Sequence, residues 1–184
     1  MISFVDAELH LAAQGALPLP VPLLLQRIGK IYKQHPSVKA AVQQRRRVRA
    51  IWKLLHEQCK CSSVYDNELS ISQLASAQAS LGLYCEEFWA QLARRKFVFQ
   101  HYLPAVTCVH AYASLRDCRL APAAAEQLEH VLLTAVEQNI EHQNALGFSN
   151  ACWSLVKLKL AGLGSPVATH AAVWLHVCAR DQTT

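Results

Sequence analysis

The chain has 184 residues, which fits one domain or a short run of repeats and is long enough to bury a hydrophobic core. Hydrophobic residues make up 52% and charged residues 17%, which argues against disorder and favours helices packed on both flanks or a surface covered by partner subunits. Residues 1–60 hold ten Lys or Arg against three acids, whereas residues 61–184 hold eight against ten, so the two parts are predicted to face different partners.

The N-terminal region, residues 1–61, is predicted to be basic and helical. Residues 4–14 can form a short amphipathic helix, and the three prolines that follow force an extended linker because proline lacks a donor and restricts its neighbour. A second helix is predicted from Pro22 to about Gln34. A longer one follows from Ser37, a good N-cap, to about Gln58.

Helical hairpins are predicted to recur after this region, and the first covers about residues 69–97. Ser70 followed by Gln73 resembles a capping box, and Gly82 can end the helix. The apolar positions of this helix are Leu74, Ala77 and Leu81. A partner helix is predicted over Tyr84–Phe97, with Phe88, Leu92 and Ala93 as its apolar positions.

The second hairpin is predicted over residues 104–139. Pro104 suits a first helical turn, and Pro122 starts the returning helix. The first helix places Val109, Tyr112 and Leu115 on its apolar side, and the second is strongly amphipathic. The apolar stripe of the second helix is Ala124, Leu128, Val131, Leu132, Ala135 and Val136.

The third hairpin is predicted over residues 146–180, with a helix from Leu146 to Leu160 and a last helix that has Ser165 as N-cap and Pro166 at its first position. The first helices align at Ala79-Ser80-Leu81, Ala113-Ser114-Leu115 and Trp153-Ser154-Leu155, with spacings of 34 and 40 residues. Each hairpin has too small an apolar face to be stable alone. The predicted fold is therefore all-α, with stacked helical hairpins forming a short α-solenoid; the alternative is an irregular helical bundle with a coincidental Ser-Leu match.

The most informative segment is Phe148–Leu160, which reads FSNACWSLVKLKL. It resembles the core of octatricopeptide-type repeats, which are shared with FAST-kinase-like and RAP-domain proteins of mitochondria and plastids. The matching positions, in order, are Asn150, Trp153, Leu155, Lys157 and Leu158. The resemblance covers about residues 69–180, although the earlier units lack the tryptophan and the asparagine.

This resemblance implies a helical-repeat fold, a mitochondrial location, and either RNA binding or a place in an organellar ribonucleoprotein. The motif marks the fold better than an activity, so RNA binding is carried over by analogy of fold alone. From the residues themselves, Ala151, Trp153 and Leu155 are predicted to form a helix-packing face, because small residues allow a neighbouring hairpin to approach closely.

The basic helix is the best functional candidate in the sequence. Its candidate RNA-binding residues are Lys39, Arg45, Arg46, Arg47, Arg49 and Lys53. Arginine forks bind phosphate oxygens bidentately, and neutralised phosphates release counterions, so such binding depends on salt. The opposite face, which includes Val48, Trp52 and Leu55, is predicted to dock on the protein. The alternative is a solvated basic face or a contact with an acidic partner subunit.

Catalytic and metal chemistry find little support in the sequence. His56, Cys59 and Cys61 could in principle ligate zinc, but no second pair lies at finger-like spacing, so we expect free thiols at a frayed helix end and no metal or cofactor. The seven cysteines are odd in number and mostly fall in predicted helices, which favours reduced thiols. No nucleophile, phosphate-loop or metalloprotease motif is present, so no enzyme activity and no small-molecule substrate are predicted.

The sequence therefore predicts a non-catalytic helical-repeat subunit of an organellar ribonucleoprotein, with RNA and other protein subunits as partners. The alternative is a structural scaffold subunit of a large assembly that does not contact RNA. No stretch reaches the roughly 20 apolar residues of a membrane-spanning helix, so no membrane insertion is expected. The N-terminus carries Asp6 and Glu8 and is a poor match to a secretory signal or a transit peptide.

Overall fold

The computed structural model describes residues 20–34, 45–115, 120–139 and 144–160. Within them the fold is all-helical, which confirms the predicted class. The elements are α1 Val21–Gln34, α2 Arg45–Lys60, a 3₁₀ helix Ser62–Asp66, α3 Glu68–Leu81, α4 Glu86–Arg95, α5 Tyr102–Ser114, α6 Pro122–Gln138 and α7 Ala145–Lys157. The predicted helix at 4–14, the Ser37 N-cap and the last helix from Pro166 lie outside the described residues.

Asn67, and not Ser70, caps the N-terminus of α3. The Asn67 side-chain oxygen accepts hydrogen bonds from the backbone N–H groups of Leu69 at 2.8 Å and Ser70 at 3.4 Å. The predicted Ser70 capping box is therefore wrong, because the chain already enters the helix at Glu68 on leaving the 3₁₀ helix. The predicted end of α3 is confirmed, since Gly82 takes a left-handed conformation with φ 66°.

Replacing Asn67 with alanine is expected to lower the free energy of unfolding by about 1 kcal/mol, because two N–H groups at the start of α3 lose their acceptor. Urea unfolding followed by circular dichroism measures the change. Ser70→Ala is the matched control and should leave stability unchanged or slightly raised, because alanine is the better helix former. A larger loss in Ser70→Ala than in Asn67→Ala would contradict this assignment of the cap.

The later helix boundaries follow the sequence within a few residues. α5 begins at Tyr102, so Pro104 lies in its first turn, and α6 begins at Pro122 as predicted. α4 and α7 are both shorter than predicted. In α7, Asn144 is the N-cap and its side-chain oxygen accepts from the N–H of Gly147 at 2.8 Å.

The described helices form two layers. α1 packs against α3, α3 against α5, and α5 against α7, whereas α2 packs against α4, and α4 against α6. We call the first set the odd layer and the second the even layer; α1 also contacts α2, and α5 contacts α6. This order of contacts is consistent with a stack of helical hairpins. The superhelical form of a solenoid, and the division into regions 1–61 and 69–180, stay predictions.

The core lies between the layers and contains large aromatic side chains. Phe88 and Trp89 of α4 are fully buried, with their ring centroids 4.9 Å apart, and Trp89 reaches Tyr112 of α5 at 5.2 Å. The buried Gln78 side-chain oxygen accepts from Trp89 Nε1 at 3.1 Å and from the N–H of Cys85 at 2.9 Å. One amide therefore ties α3 to the beginning of α4 and to its largest side chain.

A close approach of α1 and α3 depends on Gly29. A Cβ atom at this position would lie 2.9 Å from the Cβ of Ser80 and 3.6 Å from the backbone of Ala77. Leu24, Leu25 and Ile28 of α1 are buried in the same core. The small residues on both helices thus allow α1 to lie directly against the first predicted hairpin.

Candidate functional site

A groove runs over the outer surface of the odd layer. It comprises a cavity of about 900 Å³ between α1, α3 and α5, and one of about 260 Å³ that continues to α7. The two cavities share Ser76, Leu103 and Thr107. Apolar surface makes up the greater part of the lining of the groove. Small polar side chains are interspersed, since Ser72, Ser76 and Ser80 recur at every fourth residue on one face of α3. We name this surface the polar groove after these serines.

The helices that form the polar groove carry more cationic than acidic side chains. The four odd-layer helices have four cationic side chains, Arg27, Lys30, Lys33 and Lys157, and one carboxylate, Glu68. The even-layer helices have eight Lys or Arg, on α2 and α4, and six glutamates, three of them on α6. The acidic side chains of the described helices are thus concentrated away from the groove.

Glu68 is already occupied by hydrogen bonds. One of its oxygens accepts from the N–H of Gln100 at 2.8 Å and of His101 at 3.3 Å, and the other contacts His101 Nδ1. This carboxylate joins the start of α3 to the two residues that precede α5. Among the described residues that line the groove, Glu68 is the one carboxylate, and it is engaged by these hydrogen bonds.

Aromatic and cationic side chains meet around His110, which lines the α5–α7 end of the groove. The ring centroids of His110 and Trp153 are 5.0 Å apart, and Lys157 Nζ lies 4.4 Å from the Trp153 ring centroid. Ser154 Oγ lies 3.4 Å from His110 Nδ1. Burial first, and then the positive charges of Lys33 and Lys157, lower the pKa of His110. This pKa shift indicates that His110 experiences the positive potential of both lysines.

The position of Trp153 corrects one prediction from the sequence. Ala151 and Leu155 are fully buried, as expected for a helix-packing face, but Trp153 is 47% exposed. Its neighbour Ser154 takes the buried position instead, because a small residue is needed where α7 lies against α5. Of the other motif residues, Asn150 lines the polar groove, and Leu158 is half-buried against the core.

The predicted basic helix lies in the even layer and does not line the polar groove. Arg49 and Lys53 are exposed, and Lys53 Nζ is 3.8 Å from a Glu57 oxygen. Trp52 was predicted to dock on the protein, but it is 37% exposed because Ile51 and Leu55 occupy the buried side of α2. Lys39 and the side chains of Arg45, Arg46 and Arg47 lie outside the described residues.

His56, Cys59 and Cys61 do not converge. Cys59 is buried, whereas Cys61 is exposed and its sulfur is 3.0 Å from Ser63 Oγ. The structure instead brings Cys59 beside Cys85, whose sulfur lies 3.9 Å from His56 Nδ1. The hydrogen bond with Cys85 and burial raise the pKa of Cys59; the hydrogen bonds with Cys59 and His56 lower that of Cys85. Across the described ranges, no group of three or more ligand side chains could hold a metal ion.

The titration of His110 gives a direct test of the charge around the groove. Because its pKa is lowered, His110 binds fewer protons in the folded than in the unfolded chain. Its contribution to stability is therefore fully present above its ordinary pKa of 6.5 and is lost as the pH falls through the lowered pKa. Lys157→Gln should raise the pKa of His110, measured by NMR of the ring protons, because one positive neighbour is removed. Lys96→Gln is the control and should have no effect; an unchanged or lower pKa in Lys157→Gln would contradict the geometry.

Comparison of the chain with protein-family models, with curated proteins and with solved structures finds no match. The resemblance to octatricopeptide-type repeats therefore stays a prediction. No helix in the described part of the chain is long and apolar enough to cross a membrane.

The polar groove was missed by sequence reasoning. The serines spaced by four residues on α3 are visible in the sequence. They indicate a groove only when α1, α3, α5 and α7 are known to lie side by side. The same holds for His110, which no sequence motif distinguishes and which contacts Trp153 near Lys33 and Lys157.

Proposed function

We propose that this chain is a non-catalytic, helical-repeat subunit of an organellar ribonucleoprotein, and that it binds single-stranded RNA in the polar groove. The observation that carries the proposal is the excess of cationic over acidic side chains on the helices that form the groove. These helices carry Arg27, Lys30, Lys33 and Lys157 against one carboxylate, and Lys30 and Lys33 line the groove itself. A cationic groove of this kind attracts a phosphate backbone.

The spacing of the helices beneath the groove suits a single extended strand. The floor of the groove consists of neighbouring helices, and helices in contact lie about 8–10 Å apart. Side chains from three or four such helices can surround one extended strand and contact its unpaired bases, while the lysines contact its phosphates. The serine and threonine hydroxyls along α3 and α5 supply donors and acceptors for ribose and base edges.

The exposed basic side chains of α2 offer a second contact with the phosphate backbone. Arg49 and Lys53 lie on the even layer, so an RNA that reaches them must pass around the molecule or belong to a larger folded RNA. Substitution of Arg49 is therefore expected to affect binding of a long RNA more than binding of a short oligonucleotide. The organellar location is supported by the motif in Phe148–Leu160.

A protein scaffold without RNA is the second candidate, and one observation favours it. Leu69, Leu103 and Leu146 are exposed along the polar groove. Apolar side chains in a row can receive a helix of a partner subunit. The cationic character of the odd layer favours RNA, and the two candidates differ in their response to nuclease.

The deciding experiment is purification of the tagged chain from its native cell at moderate salt, with and without nuclease. The proposal predicts recovery of organellar RNA together with ribonucleoprotein subunits, and loss of these partners after nuclease treatment. Direct binding of the purified chain to a single-stranded RNA should weaken with salt, with a slope of about −0.7 for each phosphate contacted. A nuclease-resistant set of proteins without RNA would overturn the proposal in favour of the scaffold.

A further inference from the structure

We infer that Trp153, together with His110, forms a stacking platform for one unpaired base of the bound RNA, with Lys33 and Lys157 placed to contact the adjoining phosphates. This inference rests on the proposed function and adds the residue that would contact the base. It concerns the α5–α7 end of the polar groove, where the 260 Å³ cavity lies.

The exposure of Trp153 is the first observation. A tryptophan buries more apolar surface than any other side chain when it packs in a core, yet this ring is 47% exposed while the small Ser154 next to it is fully buried. The neighbouring Ala151 and Leu155 take the buried face of α7. The fold therefore leaves the largest ring of the helix partly open to solvent beside His110, which lines the adjoining cavity. Lys157 lies over one side of the ring, so a ligand would stack on the remaining exposed part.

The neighbours of Trp153 are the second observation. His110 adds a second ring at a centroid distance of 5.0 Å and an angle of 47°, so the two rings form an open corner rather than a closed stack. Asn150, one turn before Ser154, lines the adjoining cavity and can donate to or accept from a base edge. A planar, polar and aromatic ligand fits this combination.

The cations are the third observation. Lys157 Nζ lies 4.4 Å from the Trp153 ring centroid, and Lys33 approaches from α1 on the other side of the groove. Both ammonium groups act on His110. A ligand that stacks on the indole thus brings its phosphate groups near Lys33 and Lys157. These lysines belong to helices at opposite edges of the odd layer, so a nucleotide with a phosphate on either side, as within a strand, suits the site. Stacking tolerates every base, so little sequence preference is expected from this contact.

The test compares Trp153→Ala with wild type for two probes, a 12-nucleotide oligouridylate RNA and an inorganic polyphosphate of similar length. The platform predicts that Trp153→Ala weakens binding of the RNA by about 5- to 150-fold, the range for loss of one stacked base, and leaves binding of polyphosphate unchanged. Trp153→Phe should retain most of the affinity, because it keeps an aromatic ring. Trp52→Ala is the matched control, since it removes a partly exposed tryptophan from the even layer and should leave both affinities unchanged.

Two further readouts separate stacking from a loss of folding. RNA should quench the tryptophan fluorescence of wild type and of Trp52→Ala, and the quenching should be lost in Trp153→Phe. Bound RNA should also raise the pKa of His110, measured by NMR, because phosphates offset the two neighbouring lysines.

The outcomes distinguish this inference from the proposed function. If Lys33→Glu with Lys157→Glu abolishes binding of both probes but Trp153→Ala binds the RNA like wild type, the platform is wrong and RNA binding in the groove stands. If wild type binds neither probe, or the lysine substitutions leave the affinities unchanged, both the platform and RNA binding in the groove are wrong. Selective loss of the RNA in Trp153→Ala, with polyphosphate binding retained, supports both.

Discussion

The double substitution Lys33→Glu with Lys157→Glu is expected to weaken binding of single-stranded RNA by roughly 10- to 1000-fold at low salt. Each reversal replaces an attraction of about 1 kcal/mol, the energy of two charges 4 Å apart in water, by a repulsion of similar size. The two lysines lie on α1 and α7 at opposite edges of the odd layer, so both contacts are made only by a ligand that crosses the polar groove.

Fluorescence anisotropy with a labelled oligonucleotide over a series of salt concentrations measures both the affinity and the number of phosphates neutralised. Loss of two contacts should reduce the magnitude of the salt slope by about 1.4. Lys96→Glu reverses a charge that is exposed just after α4, in the even layer, and serves as the control. Equal losses in the control and in the double variant would show that binding follows net charge and does not take place in the groove.

The second large effect concerns stability. Trp89→Ala is expected to lower the free energy of unfolding by about 3–5 kcal/mol, because the side chain is fully buried and leaves a large cavity between α4 and α5. It also removes the indole donor from Gln78 Oε1, which keeps only the N–H of Cys85. Urea unfolding of the folded variant provides the measurement.

If Trp89→Ala does not fold, Trp89→Phe tests the same buried position with a smaller loss of stability. Phenylalanine lacks the N–H group, but Gln78 Oε1 keeps the N–H of Cys85, so the lost hydrogen bond alone is expected to cost about 0.5–1.5 kcal/mol. Trp52→Ala, which truncates a half-exposed ring on α2, should cost much less than Trp89→Ala. Similar losses at Trp52 and Trp89 would contradict the described core.

The sequence was sufficient for the helices and much of their packing. Period and capping signals predicted α1, the end of α3 at Gly82 and the start of α6 at Pro122, because these features depend on local backbone chemistry. The cap of α3 was placed three residues too late, since Asn67 and Ser70 are both good caps and only the preceding 3₁₀ helix decides between them.

The candidate site could not be predicted in the same way. A helical pattern distinguishes a buried side from an exposed one, but it does not tell which exposed sides of distant helices become neighbours. Lys33 and His110 are 77 residues apart in the sequence and share a cavity only because α1, α3 and α5 lie in one layer. The sequence predicts Trp153 on the helix-packing face with Ala151 and Leu155, whereas the small Ser154 takes the buried position where α7 lies against α5.

The excess of cations on the helices around the polar groove also has a kinetic consequence. These helices carry four Lys or Arg against one carboxylate, so the potential over the groove is positive. A positive groove raises the local concentration of a polyanion and speeds its association. This advantage in rate should disappear once added salt shortens the Debye length to a few ångströms.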